Sequence, residues 1–500
     1  MKASMLRRCA LTGSSLRSSG ARFFSSTNLE DLNPVDRVAK IFKDDAVELK
    51  EKLLGKRTWS EKKKIFPSHC DVLIVGGGVM GYSTAYWLAD RCQGNLRIVL
   101  IEKDPTVILN ESSWLEYQKC TSVLSVGGLR QQFSLRENIE LSLASADFMR
   151  NIKRNLSVDE SDPPDISFNP CGYLFLASEK GAHILQENHA LQTSLGAVVE
   201  LLSPAKLKEK FPFINTDGIE LGCHGLENEG WFDPWSLLNA FRRKAIALGV
   251  ECINGTLKGF GYKAHSQINH LMLPPGQYQH AEKAIVELED GSERSINFAK
   301  LVVAAGCNTG EIGAMLNLGQ GQQGILGAPI PIEPRKRFVY VVHCPDAPGL
   351  AMPFIIDPSG AYVRREGFGG NYVCGKSPSP EDPEPTCDNM DVDYEFFENE
   401  VWPLIAHRVP AFENAKVKNA WAGFYDFNRF DENAFIGLHP AFHNIYVVAG
   451  FSGHGIQQSP AVGRAMMELI IDGEFVTIDL KRFGFQRYYD DEPLYESNIV

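Results

Sequence analysis

The chain has 500 residues, 62 of them acidic and 50 basic, giving a formal net charge of −12, and 44% of it is hydrophobic. That is the composition of a globular protein of roughly two to four domains, and its acidic balance argues against nucleic-acid binding, which draws affinity from excess Lys and Arg facing phosphates. No apolar run reaches the ~18 residues of a membrane span, and the Cys and His residues show no metal-ligand spacing, so no metal is expected.

From Met1 to Thr27 there is no Asp or Glu, while Lys2, Arg7, Arg8, Arg17 and Arg22 stand among many Ser and Thr residues. An Arg-rich, Ser-rich, acid-free start is the signature of a mitochondrial transit peptide cleaved near Ser25, which places the protein in the mitochondrial matrix; a disordered basic tail is the alternative. Residues 28–69 mix both charges over a partial apolar stripe and read as a charged linker or peripheral helix.

The fold begins at 70. Asp71 to Val75 is a short β-branched run suited to a buried parallel strand, Gly76-x-Gly78-x-x-Gly81 follows, and Tyr82 to Asp90 has helical spacing. Leu96 to Ile101 is a second buried strand ending at Glu102. Farther on, Asp233 is placed to cap a helix with Pro234 in its first turn, running to about Leu248 and stopping at Gly249. Ala284 to Leu288 and Ser295 to Phe298 read as strands around the Asp290-Gly291 turn, and Leu301 to Ala305 as another buried strand ending at Gly306. Ser377 to Asp391 is proline-rich and acidic and reads as an exposed loop. Asn444 to Ala449 is a last strand, followed by Gly450-Phe451-Ser-Gly453-His454-Gly455 and a helix.

The glycine constellation carries the clearest chemistry. Gly76 permits the tight turn, Gly78 lets the backbone approach a pyrophosphate, and Gly81 lets helix pack on strand. The pyrophosphate would sit at the positive end of the helix beside Val79 and Met80. Glu102, with Lys103 next to it, would accept hydrogen bonds from a ribose. This pattern signals dinucleotide binding but does not separate FAD from NAD.

The remaining motifs do so by resemblance. The Gly450–Gly455 loop after a buried strand resembles the C-terminal flavin loop of the D-amino-acid oxidase, sarcosine oxidase and dimethylglycine dehydrogenase family. Ala304-Ala305-Gly306 resembles that family's middle FAD strand, and Ser125-Val-Gly127-Gly128-Leu-Arg130 its flavin-facing loop. The likeness is closer to a mitochondrial branch of this family linked to assembly of respiratory complex I. It is carried by Ser125 to Ser134, Gly230 to Trp235, Glu333 to Arg337 and Trp421 to Tyr425. The resemblance implies an α/β fold: a discontinuous Rossmann-like FAD-binding domain (about 70–160, 226–325 and 416–482) with an inserted, mainly antiparallel-sheet substrate domain (about 165–225 and 325–415). It further implies FAD as cofactor, an unknown small-molecule substrate, complex I subunits or assembly intermediates as partners, and peripheral contact with the inner membrane.

Departures from the family sharpen these expectations. Ala422 to Phe430 lacks the Cys that binds flavin covalently in sarcosine oxidases, and Ser122 to Val126 lacks the His used by dimethylglycine dehydrogenases, so FAD is expected to be non-covalent. The oxygen-activating Lys falls on Val373, which favours a dehydrogenase over an oxidase. Phe133 and Gln457 stand where the family anchors a substrate carboxylate with Arg and Lys. Arg130 matches a different, flavin-adjacent Arg, while Lys336, Arg364 and Arg365 are either displaced anchors or surface charge. The catalytic candidates are Arg130 and His454, the latter either polarising the flavin's pyrimidine edge or serving as a satisfied structural residue. Relatives are shorter before Ser125, which marks Val107 to Glu116 as either a tolerated insertion at the flavin edge or the product of a flawed gene model. Two functions follow: oxidation of an amine-type substrate by hydride transfer to FAD, or a catalytically silent FAD-binding scaffold for complex I intermediates.

Overall fold

The computed structural model describes residues 66–104, 120–159, 162–262, 280–321, 324–379 and 381–497. The expected transit peptide, the linker as far as Ile65 and the extra segment at Val107 to Glu116 lie outside the described residues.

The first unit is the expected βαβ: β1 (His69–Val75), α1 (Val79–Cys92) and β2 (Ile98–Glu102). β1 lies in parallel register with β2 (Leu73 opposite Val99) and, on its other side, with the strand Glu293–Val303 (Leu73 opposite Leu301). Glu251–Tyr262 extends the sheet in parallel beyond β2, Ile445–Ala449 does so beyond Glu293–Val303, and Phe435–Leu438 closes it antiparallel, making seven strands with Ala281–Leu288. Ala281–Leu288 bridges the outer halves of Glu251–Tyr262 and Glu293–Val303 as an antiparallel meander. The central strands are covered on both faces, which is why they read as continuous apolar runs. Ile74 and Val302 face a layer holding Tyr82 and Phe241, whereas Leu73 and Leu301 face one holding Leu316 and Phe442. The helix Pro234–Ala247 starts as expected, with the Asp233 carboxylate accepting from Ser236 N at 3.1 Å. It stops before Gly249, whose φ of +96° is glycine territory.

The second sheet has eight strands, in spatial order Lys416–Asn428, Ile332–His343, Asn371–Gly375, Tyr362–Glu366, Phe354–Ile356, Tyr173–Ala177, Leu221–Gly225 and Val199–Leu202. All neighbours are antiparallel except Phe354–Ile356 beside Tyr173–Ala177. One of its faces packs Leu174, Phe338, Tyr340 and Tyr372 against Val401 and Ile405, and the other turns Tyr173, Phe175, Phe354 and Tyr362 away from that layer. One boundary moves. Lys416–Asn428, expected to open the last part of the FAD domain, pairs along its length with Ile332–His343 (Val339 opposite Trp421) and belongs to the second sheet. Period-two alternation identifies a strand but not the sheet it joins. Among the described residues no helix is long and apolar enough to cross a membrane.

Candidate functional site

A cavity of about 1990 Å³ is lined both by Gly76, Gly78 and Glu102 of the βαβ unit and by Arg130, Tyr173 and His454. The three motif glycines divide their work as the sequence implies. A Cβ on Gly76 (φ +111°) would lie 2.2 Å from the Ala304 carbonyl oxygen, and one on Gly81 would lie 1.9 Å from the Gly76 oxygen. Gly78, at the N-cap of α1, would meet only the Ser122 hydroxyl, at 3.3 Å, so its missing side chain leaves room for a ligand rather than for the fold. The first turn of α1 holds no acidic residue, which leaves its positive end open to an anion. At the end of β2 the Glu102 carboxylate is held by Gly77 N at 2.6 Å and Asp104 N at 2.8 Å. Burial pushes its pKa up against those two bonds. Each oxygen keeps a lone pair for a ribose hydroxyl.

Of the expected cofactor residues, Val79, Met80, Lys103, Ser125, Gly128, Ala305, Gly306, Phe451, Gly453 and Gly455 also line the cavity. Gly81, Gly127 and Gly450 do not. Gly127 (φ +69°) lies so close to Phe232 that a Cβ would come within 2.1 Å of its carbonyl oxygen, which makes it a packing glycine. In the loop expected to face the flavin, Gly450 N and Phe451 N instead donate to the Asp426 carboxylate at 2.7 and 3.2 Å. The donors left for a ligand at this loop are Gly453 N and those of the first turn of the helix Gly455–Ile471, where intrahelical acceptors are lacking.

His454, the N-cap residue of that helix, is buried with its ring 5.4 Å from that of Phe133, and among the described residues its Nε2 has no hydrogen-bond partner. Burial first, and the Arg130 charge second, depress its pKa to about 3, so the imidazole is neutral. Arg130 is 6% exposed, with its guanidinium carbon 4.7 Å over the Phe133 ring and 4.9 Å over that of Phe175. Its backbone N donates to Gln457 Oε1 at 2.7 Å, but among the described residues its guanidinium has neither a hydrogen-bond acceptor nor an ion-pair partner. Burial lowers its pKa, yet a guanidinium stays charged in a protein. The nearby carboxyl of Glu229 accepts Gln131 N at 2.8 Å, but burial pushes its pKa up to about 8, so it is a weak counter-charge.

The alternative anchors Lys336, Arg364 and Arg365 are neither surface charges nor cavity residues; each is about 4% exposed. Lys336 Nζ reaches Asn389 Oδ1 at 3.0 Å, and Arg364 Nε donates to the Val126 carbonyl at 2.9 Å, bracing the 125–130 loop from behind. Sequence reasoning missed Asp426 and Ser122, whose hydroxyl accepts Val79 N at 3.1 Å. Both act through backbone groups and carry no local motif. No cluster of metal-ligating side chains occurs among the described residues.

The FAD dependent oxidoreductase (DAO) family model matches residues 71–469. The chain is 50% identical over 438 residues to FAD-dependent oxidoreductase domain-containing protein 1 of Xenopus laevis, covering 87% of this chain and 85% of that protein. In three dimensions it is similar to L-proline dehydrogenase from P. horikoshii, with a TM-score of 0.67 and 25% identity over 86% of this chain and 100% of that one. Glycine oxidase from Geobacillus kaustophilus matches with a TM-score of 0.64 and 21% identity over 84% of this chain and 99% of that one. FAD, the family's cofactor, fits the residues present: the space beside Gly78, the open start of α1 and the carboxylate of Glu102 match its pyrophosphate and ribose. The chain belongs to the FAD dependent oxidoreductase family.

Proposed function

We propose that this is a mitochondrial matrix FAD-dependent dehydrogenase that oxidises a C–H bond next to an amine nitrogen in a small anionic substrate, and that it supports assembly or stability of respiratory complex I. The observation that carries the chemistry is Arg130, a buried guanidinium that lines the cavity and has no acceptor among the described residues. Burying an unpaired charge costs several kcal/mol, about what a ligand carboxylate recovers by pairing with it. FAD, when bound, supplies the two-electron acceptor. The chain's own residues hold the anion at Arg130 and exclude water with the rings of Tyr173, Phe175 and Phe354. They also present the neutral His454 imidazole to the same space. Val373 in place of an oxygen-activating Lys, and Lys376 Nζ tied to Glu400 at 3.0 Å, favour an electron carrier over O₂ as acceptor. The acid-free start supports the mitochondrial part, and the motif resemblance supports the complex I part along with peripheral contact with the inner membrane. FAD is held without a covalent bond, since Ala422 to Phe430 offers no Cys.

A second reading, a catalytically silent FAD scaffold for complex I intermediates, is favoured by Phe133 and Gln457 at the family's anchor positions, with Gln457 Oε1 already bound to Arg130 N. Anaerobic bleaching of the flavin in purified, FAD-loaded protein by amines with and without a carboxylate decides between them. Reduction by the anionic amines alone is expected. No reduction by any of them, together with FAD-dependent complex I assembly, would leave the scaffold.

A further inference from the structure

Besides Arg130, the cavity carries a pair of cations on the strand Ile332–His343. Arg335 and Arg337 stand two residues apart and share a face of the sheet. Their guanidinium carbons lie 3.8 Å over the Phe427 ring and 5.0 Å over the Tyr425 ring, and all four residues line the cavity. Arg337 also donates to the Tyr425 hydroxyl at 3.0 Å and to the Lys336 carbonyl at 2.8 Å, and Arg335 reaches Glu333 Oε1 at 3.3 Å.

What the two arginines share is Glu384. Arg337 Nη1 lies 2.6 Å from its Oε2, Arg337 Nη2 lies 3.2 Å from its Oε1, and Arg335 Nη1 binds the same Oε1. Two planar guanidinium groups closing on one carboxylate is the geometry by which proteins recognise oxyanions. Burial opposes the Glu384 charge, but the bonds from Arg337 and then Arg335 hold its pKa below the usual range. Glu384 sits in the 377–391 segment, which also contains Glu381, Asp382, Asp388 and Asp391 and no Lys or Arg. Its described residues form no helix or strand. The segment's further ties are few: Ser377 Oγ to Arg337 Nε at 3.3 Å, Asn389 Oδ1 to Lys336 Nζ at 3.0 Å, and Cys387 Sγ to the Pro334 carbonyl at 3.5 Å. Ser377, Ser379, Glu384, Asp388 and Asn389 line the same cavity as the arginines.

We propose that Arg335 and Arg337 form an oxyanion subsite of the cavity, that Glu384 fills it as an internal stand-in, and that a ligand with a terminal carboxylate or phosphate binds by displacing Glu384 together with its segment. Exchanging one oxyanion for another conserves the paired charges. A tethered carboxylate competes at an effective concentration on the order of millimolar, so a dianion should succeed where acetate fails. The subsite would take the far end of the substrate, and to that extent it rests on the reading of the cavity as a substrate site.

The test titrates inorganic phosphate, glutarate and acetate into the FAD-loaded full chain by calorimetry, independently of turnover. Glu384→Gln should tighten phosphate and glutarate binding about tenfold. Adding Arg337→Gln should abolish that gain. In the unmodified protein, hydrogen exchange across 381–391 should speed up at saturating phosphate, which keeps the proposal testable if the variants fold poorly. Equal affinities with and without Glu384, or exchange unmoved by phosphate, would overturn it. So would loss of FAD from Arg337→Gln, since the pair would then serve the cofactor. Failure of every amine to bleach the flavin would overturn the dehydrogenase reading and leave the binding result standing.

Discussion

Asp426 and Gly450 lie 24 residues apart, and a 2.7 Å hydrogen bond from Gly450 N to the Asp426 carboxylate joins the last strand of the second sheet to the loop that leads into the helix Gly455–Ile471. Phe451 N donates to the same oxygen at 3.2 Å. The Asp426 side chain therefore sets the shape of a loop that sequence reasoning treated as an independent flavin contact. Asp426→Ala leaves two amide donors without their acceptor, which costs about 1–3 kcal/mol for each one that stays dry. A lower Tm, with weaker retention of FAD on gel filtration, is the expected result. Asp426→Asn keeps one acceptor and should lose less on both measures.

The glycines of the first turn separate fold from cofactor. Gly81→Ala drives a Cβ to 1.9 Å from a backbone oxygen and should destabilise the protein by about 1–3 kcal/mol or more. Gly78→Ala has an unstrained φ of −72° and meets only a hydroxyl, so its Tm should stay near that of the unmodified protein while FAD retention drops. Equal loss of stability in both variants would contradict this division.

Arg130 should show the opposite pattern, function held at the expense of stability. Arg130→Met removes a buried, unpaired charge and is expected to raise the stability of ligand-free, FAD-loaded protein by about 1–3 kcal/mol in urea. The same variant should lose flavin reduction by anionic amines. A fall in stability would mean that the guanidinium is paired after all.

Glu229 gives stability a pH dependence of known sign. Its folded-state pKa is raised, to about 8, so the folded chain keeps a proton that the unfolded chain releases. Its contribution is therefore most favourable below the unfolded value near 4.5 and falls as pH rises toward 8, by up to about 1.4 kcal/mol per unit. Denaturant midpoints measured between these limits should decline less steeply with pH in Glu229→Gln. An identical slope would place the titrating group elsewhere.

Much of this architecture was legible because it is local. β1, the glycine turn, α1 and β2 announce themselves through residues that set their own backbone geometry, and Asp233 caps its helix from three residues away. Where reading failed, the determinant was distant. The strand Lys416–Asn428 has the same alternation whichever sheet it joins, and only its pairing with Ile332–His343 decides. His454 could be read from sequence as either satisfied or reactive; its bare Nε2 is a property of the pocket that closes around it.

The sequence alone therefore signalled a dinucleotide cofactor through the motif glycines and Glu102, because turn geometry and helix polarity are properties of neighbouring residues. Tertiary structure decided which charges stand alone and which are matched. Arg130 is isolated between two rings, whereas Arg335 and Arg337 share a carboxylate from a segment nearly fifty residues farther on. The free energy of a buried charge depends on what surrounds it in space, and chain order does not encode that directly.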